Sequence, residues 1–477
     1  MSDPLALLPL AAAAGGGRMD GFEAGQLVAA GLAVLRRSAP LVRALTRRRA
    51  AILLPTSHQF LTALAASDGR GAVLVNPLAA PPEIADQLDD ADVGATFTMT
   101  ALASRLPAHL PRVLLDDAPR AARVVIDGTV SDLDLGSHVG LSLEGTRETG
   151  GRDEEAAIVY TSAMAGRPLG AILTHRNLLA NARGTVDATG TSRDDRVLAL
   201  LPFSHLFGLT VTGIAPLLAG GHVRCMARFH PSAALEMLER ERITLLVGVP
   251  AVFGALLSAV ERRGTGVTAH ALRLCLCGGA VLTEGLQDRW ATATGVELRQ
   301  GYGLTEAGPV CLFNRVDRPN RRGALGVTFA GVDIEIRDTD TGRALPPGGA
   351  GEICVRGENV FRGYVTGGGD GLAVRDGWLH TGDRGVRNDD GSIAFLGLIK
   401  SMFTRSGFNI YPREIERVVG AMPGVLDARV HAIPEPEREN DIGLRVAGTV
   451  TAEQVRAWCA SRLSAYKQPA EITITPT

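Results

Sequence analysis

Four stretches of this chain carry side chains at spacings suited to chemistry on an anionic ligand. Glu155–Leu179, EAAIVYTSAMAGRPLGAILTHRNLL, reads as a buried strand over 156–160. A tight loop of small residues follows, closed by Gly166, Pro168 and Gly170, and then an amphipathic helix from about His175. Consecutive backbone N–H groups in such a loop, with a helix N-terminus behind them, favour a phosphate. Gln300–Gly308, QGYGLTEAG, places the Thr305 hydroxyl beside Glu306, whose carboxylate is a hard oxygen ligand of the kind Mg²⁺ takes, and offers the flat face of Tyr302. Cys277–Leu282, CGGAVL, sets Gly278 and Gly279 at a strand end, where backbone can approach a flat ligand closely. Asp376–Asp383, DGWLHTGD, ends on a carboxylate whose two oxygens suit paired hydroxyl groups. Plainer readings stand beside these. Thr305 suits a helix cap, the glycine pair an ordinary strand–helix turn, and Asp383 a β-turn in a glycine-rich corner.

The first stretch resembles the phosphate loop of the adenylate-forming, AMP-binding superfamily. That superfamily includes acyl- and aryl-CoA synthetases, peptide adenylation domains and luciferases. Its pattern is Tyr-Thr-Ser-Gly-Thr-Thr-Gly-x-Pro-Lys-Gly. Tyr160, Thr161, Ser162, Gly166, Pro168 and Gly170 match it, whereas Ala163, Met164, Ala165 and Leu169 replace a glycine, two hydroxyls and the lysine. The other three stretches resemble later motifs of the same family, as do LPFSHLFGL (Leu201–Leu209), Leu396–Glu416 and AYKQP (Ala465–Pro469). The resemblance runs from about Phe22 to Thr477 and points to the acyl-CoA synthetase branch.

The resemblance implies a set of roles. Thr161, Ser162, Gly166, Gly278, Gly279, Ala280, Tyr302, Thr305 and Asp383 would hold ATP or AMP. Within that set, 278–280 and Tyr302 would lie against adenine, Thr305 at the α-phosphate and Asp383 at the ribose hydroxyls. Glu306 would carry Mg²⁺. His205, Phe207, Gly279, Gly301 and Gly407 would line the acyl and coenzyme A paths, and Lys400 would fall on the hinge of a small mobile domain. Thr305, Glu306, His205 and Lys400 are the catalytic candidates; a core histidine and a surface lysine are the bland alternatives for His205 and Lys400. The implied reaction joins a carboxylic acid to AMP with release of pyrophosphate. A thiol, of CoA or of a carrier protein, then displaces AMP. Leu398 stands where the family has an arginine, and the family's terminal lysine segment is not among these residues. The adenylation half is therefore expected to be weakened. The alternative expectation is a non-adenylating homologue that binds nucleotide, acyl group or CoA, or transfers a pre-activated acyl group.

These residues need a scaffold that alternates strand and helix. From Ala50 to Leu88, and again from Val197 to Gln300, apolar strands alternate with amphipathic helices, which predicts doubly wound parallel sheets. Within the second run, Phe207–Leu218 reads as an apolar helix. From Val327 the period changes to two, predicting a small β-barrel-like part; Leu398–Phe403 reads as a linker into a small α+β unit. The expected division is an α/β body over 1–397 and a small C-terminal domain over 398–477. With 477 residues, two to four structural units are the prior. A net charge of −2 gives no electrostatic case for nucleic acid. The six cysteines are scattered, and Cys275 and Cys277 alternate along a strand as small buried residues would, which fits a reduced cytoplasmic compartment. No apolar run reaches the ~20 residues a membrane span needs. The apolar run near the N-terminus lacks a preceding basic residue and reads as a frayed terminus or helix rather than a signal peptide. Only Lys400 and Lys467 are lysines, which makes their positions informative.

Overall fold

A computed structural model describes residues 8–46, 48–67, 71–135, 153–162, 168–264, 271–365, 374–399, 402–435 and 438–475. Two large sheets share one continuous core. The first runs Val310–Phe313, Leu298–Gly303, Leu274–Cys277, Leu245–Gly248, Arg196–Ala199, His222–Cys225, Arg18–Met19, Phe22–Glu23, parallel except at its two ends. Its central members, LLVG and LCLC, are buried along their whole length. Helices cover such parallel strands on both faces, so they read as unbroken apolar runs.

The second sheet runs Gly363–Tyr364, Pro168–Thr174, Glu155–Ser162, Ala72–Leu74, Arg49–Ile52, Val93–Thr98, Arg112–Leu114, Ala121–Ile126, Thr129–Asp134. It corrects the reading of the glycine-bearing stretch. The segment Pro168–Thr174 is not part of a loop entering a helix. It is a strand antiparallel to Glu155–Ser162, with Leu169 opposite Thr161 and Gly170 opposite Tyr160. The stretch is therefore a hairpin, and helix His175–Thr189 begins only after its second strand, capped by the Thr174 hydroxyl. PLGAILT is apolar and buried on both faces, so it lacks the alternation that marks a half-buried strand.

The period-two segment forms an open antiparallel sheet, not a closed barrel. Its order is Ala324–Gly326, Ile393–Leu398, Trp378–Arg387, Ala350–Gly357, Val332–Arg337, with Val374–Arg375 pairing onto Trp378–Arg387. Leu398 ends a strand of this sheet rather than opening a linker. The N-terminal apolar run is not frayed over its described part: Leu8–Ala14 is a buried helix, and Leu8 N donates to His175 Nδ1 at 3.0 Å.

The C-terminal domain has its own core, built from Ile410, Ile415, Val419, Ile442, Leu444 and Val455. A hairpin (Phe403–Arg405 with Phe408–Ile410) leads into a sheet of Val425–Glu435, Glu439–Gly448 and Glu471–Thr475, with helices Pro412–Gly420 and Ala452–Ala460. A buried ion cluster joins this domain to the body. Lys467 Nζ lies 2.6 Å from Glu414 Oε1 in its own domain and 2.9 Å from Glu83 Oε1 on body helix Pro81–Asp90, and Ser464 also bonds Glu83. Burial opposes the Lys467 charge, but the charges of Tyr466, Glu414 and Glu83 outweigh it and hold the ammonium protonated.

Two measurements test this packing. His175 sits at a helix N-terminus with its ring buried, and burial lowers its pKa to about 4 from 6.5. The folded state therefore favours the neutral ring, and stability should fall as pH drops below about 6.5 and level off near 4, a loss on the order of 3 kcal/mol. Denaturant unfolding should show this slope in the wild type and a smaller one in His175→Gln; equal slopes would refute it. Glu83→Gln removes the body's share of the ion cluster and leaves Lys467–Glu414 intact. It should weaken docking by ~3 kcal/mol and speed proteolytic separation of the small domain. An unchanged cleavage rate would show that the cluster does not hold the domains together.

Candidate active site

The geometry converges on Glu306. Thr305–Ala307 is a single 3₁₀ turn ended by Gly308. Two asparagines, Asn181 and Asn359, hold the carbonyls that follow this turn, and a third, Asn177, holds the neighbouring segment 358–360. Asn177 and Asn181, four residues apart, share one face of helix His175–Thr189. Asn181 Nδ2 donates to Val310 O at 2.7 Å, and Asn359 Nδ2 to Ala307 O at 2.8 Å. Asn177 Nδ2 donates to Glu358 O and Val360 O at 2.7 and 2.8 Å. Phe361 N then donates to the Glu306 carbonyl at 2.9 Å. So held, the Glu306 carboxylate accepts from Tyr364 OH at 2.9 Å and Thr161 Oγ1 at 3.3 Å. Both donors are neutral, and among the described residues Glu306 makes no ion pair. A half-buried carboxylate held this way keeps its charge available to a cation.

Asp383 is the second fixed carboxylate. It is buried on strand Trp378–Arg387 and accepts from Tyr302 OH at 2.5 Å, while its N–H donates to Thr381 Oγ1 at 3.1 Å. Burial, with the Asp383 charge second, pushes the Tyr302 phenol far above its ordinary pKa, so it stays a donor. Glu352 braces the strand, accepting from Gly382 N and His380 Nδ1, each at 2.8 Å. These bonds account for the approach of Glu352, Cys354 and His380 without a metal. Tyr411 lies in the C-terminal domain, at the N-cap of helix Pro412–Gly420. Burial raises its phenol's pKa, and the Glu306 and Asp383 charges raise it further.

Across the sheet, Phe207–Ile214 is a π-helix, a rare form often found at functional sites. It corrects the sequence expectation of one regular apolar helix over 207–218. Gly208 packs on the Pro202 carbonyl, and Thr212 Oγ1 bonds the Gly208 carbonyl at 2.6 Å. Phe207 then reaches Gly278, where a β-carbon would stand 3.1 Å from its ring. Phe207, Gly301, Cys277, Phe313 and Phe329 line an apolar cavity of about 10 Å³. That is room for about one water. His205 is exposed, its Nδ1 accepting from Phe207 N at 3.3 Å. On the other side, Gly407 (φ +80°) lies against Val249, where a β-carbon would stand 2.9 Å from Cγ2, and Val249 in turn faces Gly279.

The structure thus brings together Thr161 with Glu306, Tyr302 with Asp383, Phe207 with Gly278 and Gly301, and Gly279 with Gly407 through Val249. Thr305 is buried beside Glu306, and Ala280 follows the glycine pair. Gly166, Lys400 and the substituted positions Ala163, Met164 and Ala165 lie outside the described residues, as does the side chain of Ser162. Leu169 is 3% exposed within its strand, and Leu398, opposite Asp383 in the sheet, is 42% exposed. Sequence reasoning missed Tyr364 and Tyr411. Tyr364 lies on a two-residue strand, too short to show any period, and Tyr411 sits far along the chain in the other domain.

The family described as AMP-binding enzyme matches residues 37–365. A feruloyl-CoA synthase of Amycolatopsis sp is 33% identical over 437 residues, covering 90% of this chain and 84% of that protein. The 4-coumarate–CoA ligase 1 of Oryza sativa subsp. japonica is 30% identical over 485 residues, covering 95% and 85%. Among solved structures, a malonyl-CoA ligase complex with methylmalonyl-CoA and AMP aligns with TM-score 0.81 and 26% identity over 100% of this chain and 99% of that one. An amide bond synthetase from Marinactinospora thermotolerans, 24% identical with TM-score 0.82 over 98% and 95%, shares the fold. The motifs, the clamped carboxylates and these likenesses agree: the chain belongs to the AMP-binding enzyme family, and is an acyl-CoA ligase-like member of it.

Proposed function

We propose that the chain joins a carboxylic acid to AMP and passes the acyl group to the thiol of CoA, and that its ATP-dependent half is the slower one. The observation that carries this is the unneutralised carboxylate of Glu306, set by Thr161 and Tyr364 a few residues from the Tyr302–Asp383 pair. Its oxygens fit Mg²⁺, which when bound would offset negative charge on the phosphates. Asp383 would take the ribose hydroxyls, and Gly278, Gly279, Ala280 and Tyr302 the adenine. Thr161, Ser162, Gly166 and Thr305 would donate toward phosphate oxygens. The names of the relatives favour a flat, aromatic acid, with Phe207, Gly301 and His205 along its path.

The weakening rests on charge. Leu169 presents an apolar side chain, closed into the sheet, where the family pattern has lysine. Leu398 places an apolar side chain opposite Asp383, where the family has arginine. Each absent cation would otherwise stabilise a transition state rich in negative charge, at a cost on the order of a hundredfold apiece. A second reading, a homologue that only transfers a pre-activated acyl group, follows from the same two positions. The proposed body over 1–397 and small domain over 398–477 would turn about Lys400 between half-reactions, as the separate core of the small domain supports. A cytoplasmic setting is proposed with it; among the described residues no helix is long and apolar enough to cross a membrane.

The experiment compares CoA thioester formed from ATP plus a panel of aromatic acids with that formed from synthetic acyl-AMP. Formation from acyl-AMP should exceed formation from ATP by tenfold or more, in round terms ~1.4 kcal/mol of barrier or above. Equal rates near the ~10 s⁻¹ of a typical enzyme would show that the leucines cost nothing. No thioester from either source would remove the ligase reading. Glu306→Gln should slow pyrophosphate release about a hundredfold and leave transfer from acyl-AMP within a fewfold of wild type. Equal losses in both assays would place Glu306 in a structural role.

A further inference from the structure

Glu439 stands apart from every role assigned so far. It opens strand Glu439–Gly448 in the C-terminal domain with a φ of +70°, a conformation that glycine adopts far more readily than glutamate. Its neighbours tie it to the turn that carries Gly407. Ser406 N donates to Arg438 O at 2.9 Å, and Asn440 Nδ2 donates to Thr404 O at 3.0 Å. Glu439 therefore travels with Gly407, and Gly407 rests on Val249 beside Gly279. Both Glu439 carboxylate oxygens are closed to solvent, and among the described residues neither has a hydrogen-bond partner.

Such a group is costly to keep. An unpaired buried carboxylate carries a large desolvation penalty, and the positive φ adds strain on the order of 1 kcal/mol. Among the described residues it caps no helix and joins no ion pair. The direction it faces supplies a reason. Its ties to the Gly407 turn set it on the side of the small domain that meets Val249 and, through it, Gly279; burial first, and then the charge of Glu439, push the Cys277 thiol well above its ordinary pKa, in keeping with that placement. Burial likewise raises the Glu439 carboxyl itself, the Thr404 hydroxyl alongside holding it back without closing a normal hydrogen bond. The small domain thus delivers a basic, unpaired carboxylate to the side of the site where Gly407 meets the body.

We propose that Glu439 accepts the proton of the incoming thiol during acyl transfer, a role that rests on the ligase reading above. The sulfur attacks the carbonyl carbon of the acyl-adenylate and the S–C bond forms. The C–O bond to phosphate breaks, and AMP leaves with that electron pair. The S–H proton passes to the Glu439 carboxylate. A carboxylate raised above its ordinary pKa is the better base for this transfer, and docking of the small domain brings it in only for the second half-reaction.

Chemical rescue tests the role. Glu439→Gly suits the φ of +70° and leaves a space the size of a small carboxylate. With synthetic acyl-AMP and CoA, single-turnover thioester formation should fall about a hundredfold, and added formate should restore it in a saturable way. Glu439→Gln fills the same space with a non-basic amide, and should be slow and unresponsive to formate. A Glu439→Gly protein at the wild-type rate, or a slow one that formate does not restore, would overturn the proposal while leaving the ligase reading intact. Wild type that forms no thioester from acyl-AMP would overturn that reading, and this role with it.

Discussion

The site depends on one carboxylate held in place by neutral donors. Glu306 takes its two side-chain hydrogen bonds from a tyrosine and a threonine, while Phe361 holds its carbonyl and asparagines on an adjoining helix and turn hold the carbonyls of Ala307 and Val310 that follow it. An arginine in either position would satisfy the charge internally and close the site to a metal–phosphate ligand. The hydroxyls orient the oxygens and leave the charge uncompensated, and an uncompensated charge at low dielectric is what a bound cation repays. The rest of the body follows from that requirement. One sheet supplies Thr161 and Tyr364, the other supplies the strand leading to Glu306, and the helix between them carries the asparagines that lock the two together.

Much of this was legible in the sequence, and the failures have physical causes. The motifs at 277–282 and 300–308 lie at strand ends, as read from the sequence, whereas Asp383 lies within strand Trp378–Arg387. The parallel strands were readable as short apolar runs between helices. The hairpin at Pro168–Thr174 was missed because a strand buried on both faces has no period-two signature. The π-helix at Phe207 was missed because a segment buried along nearly its whole length carries no polar face from which a helix period could be read. Tyr364, Tyr411 and Glu439 were invisible for a different reason. Each acts across a long sequence separation, from an edge strand or from the second domain, and local pattern carries no information about that.

The two leucines and the small domain belong to one electrostatic picture. Leu169 and Leu398 are apolar where the family pattern has a lysine and an arginine. The C-terminal domain brings Tyr411 and Glu439, a neutral donor and an acid, and docks through a cluster with two carboxylates around one lysine. On the proposed reading, these positions favour a monophosphate ester with an acyl group over a triphosphate. That match would place the strength of the protein in holding an adenylate rather than in making one.

Calorimetry with a non-hydrolysable acyl-sulfamoyl adenosine carrying an aromatic acyl group tests this most directly. The account predicts binding at least tenfold tighter than that of ATP with Mg²⁺, and a loss of that binding in Asp383→Ala. Tighter binding of ATP, or no binding of the adenylate mimic at millimolar concentration, would contradict it.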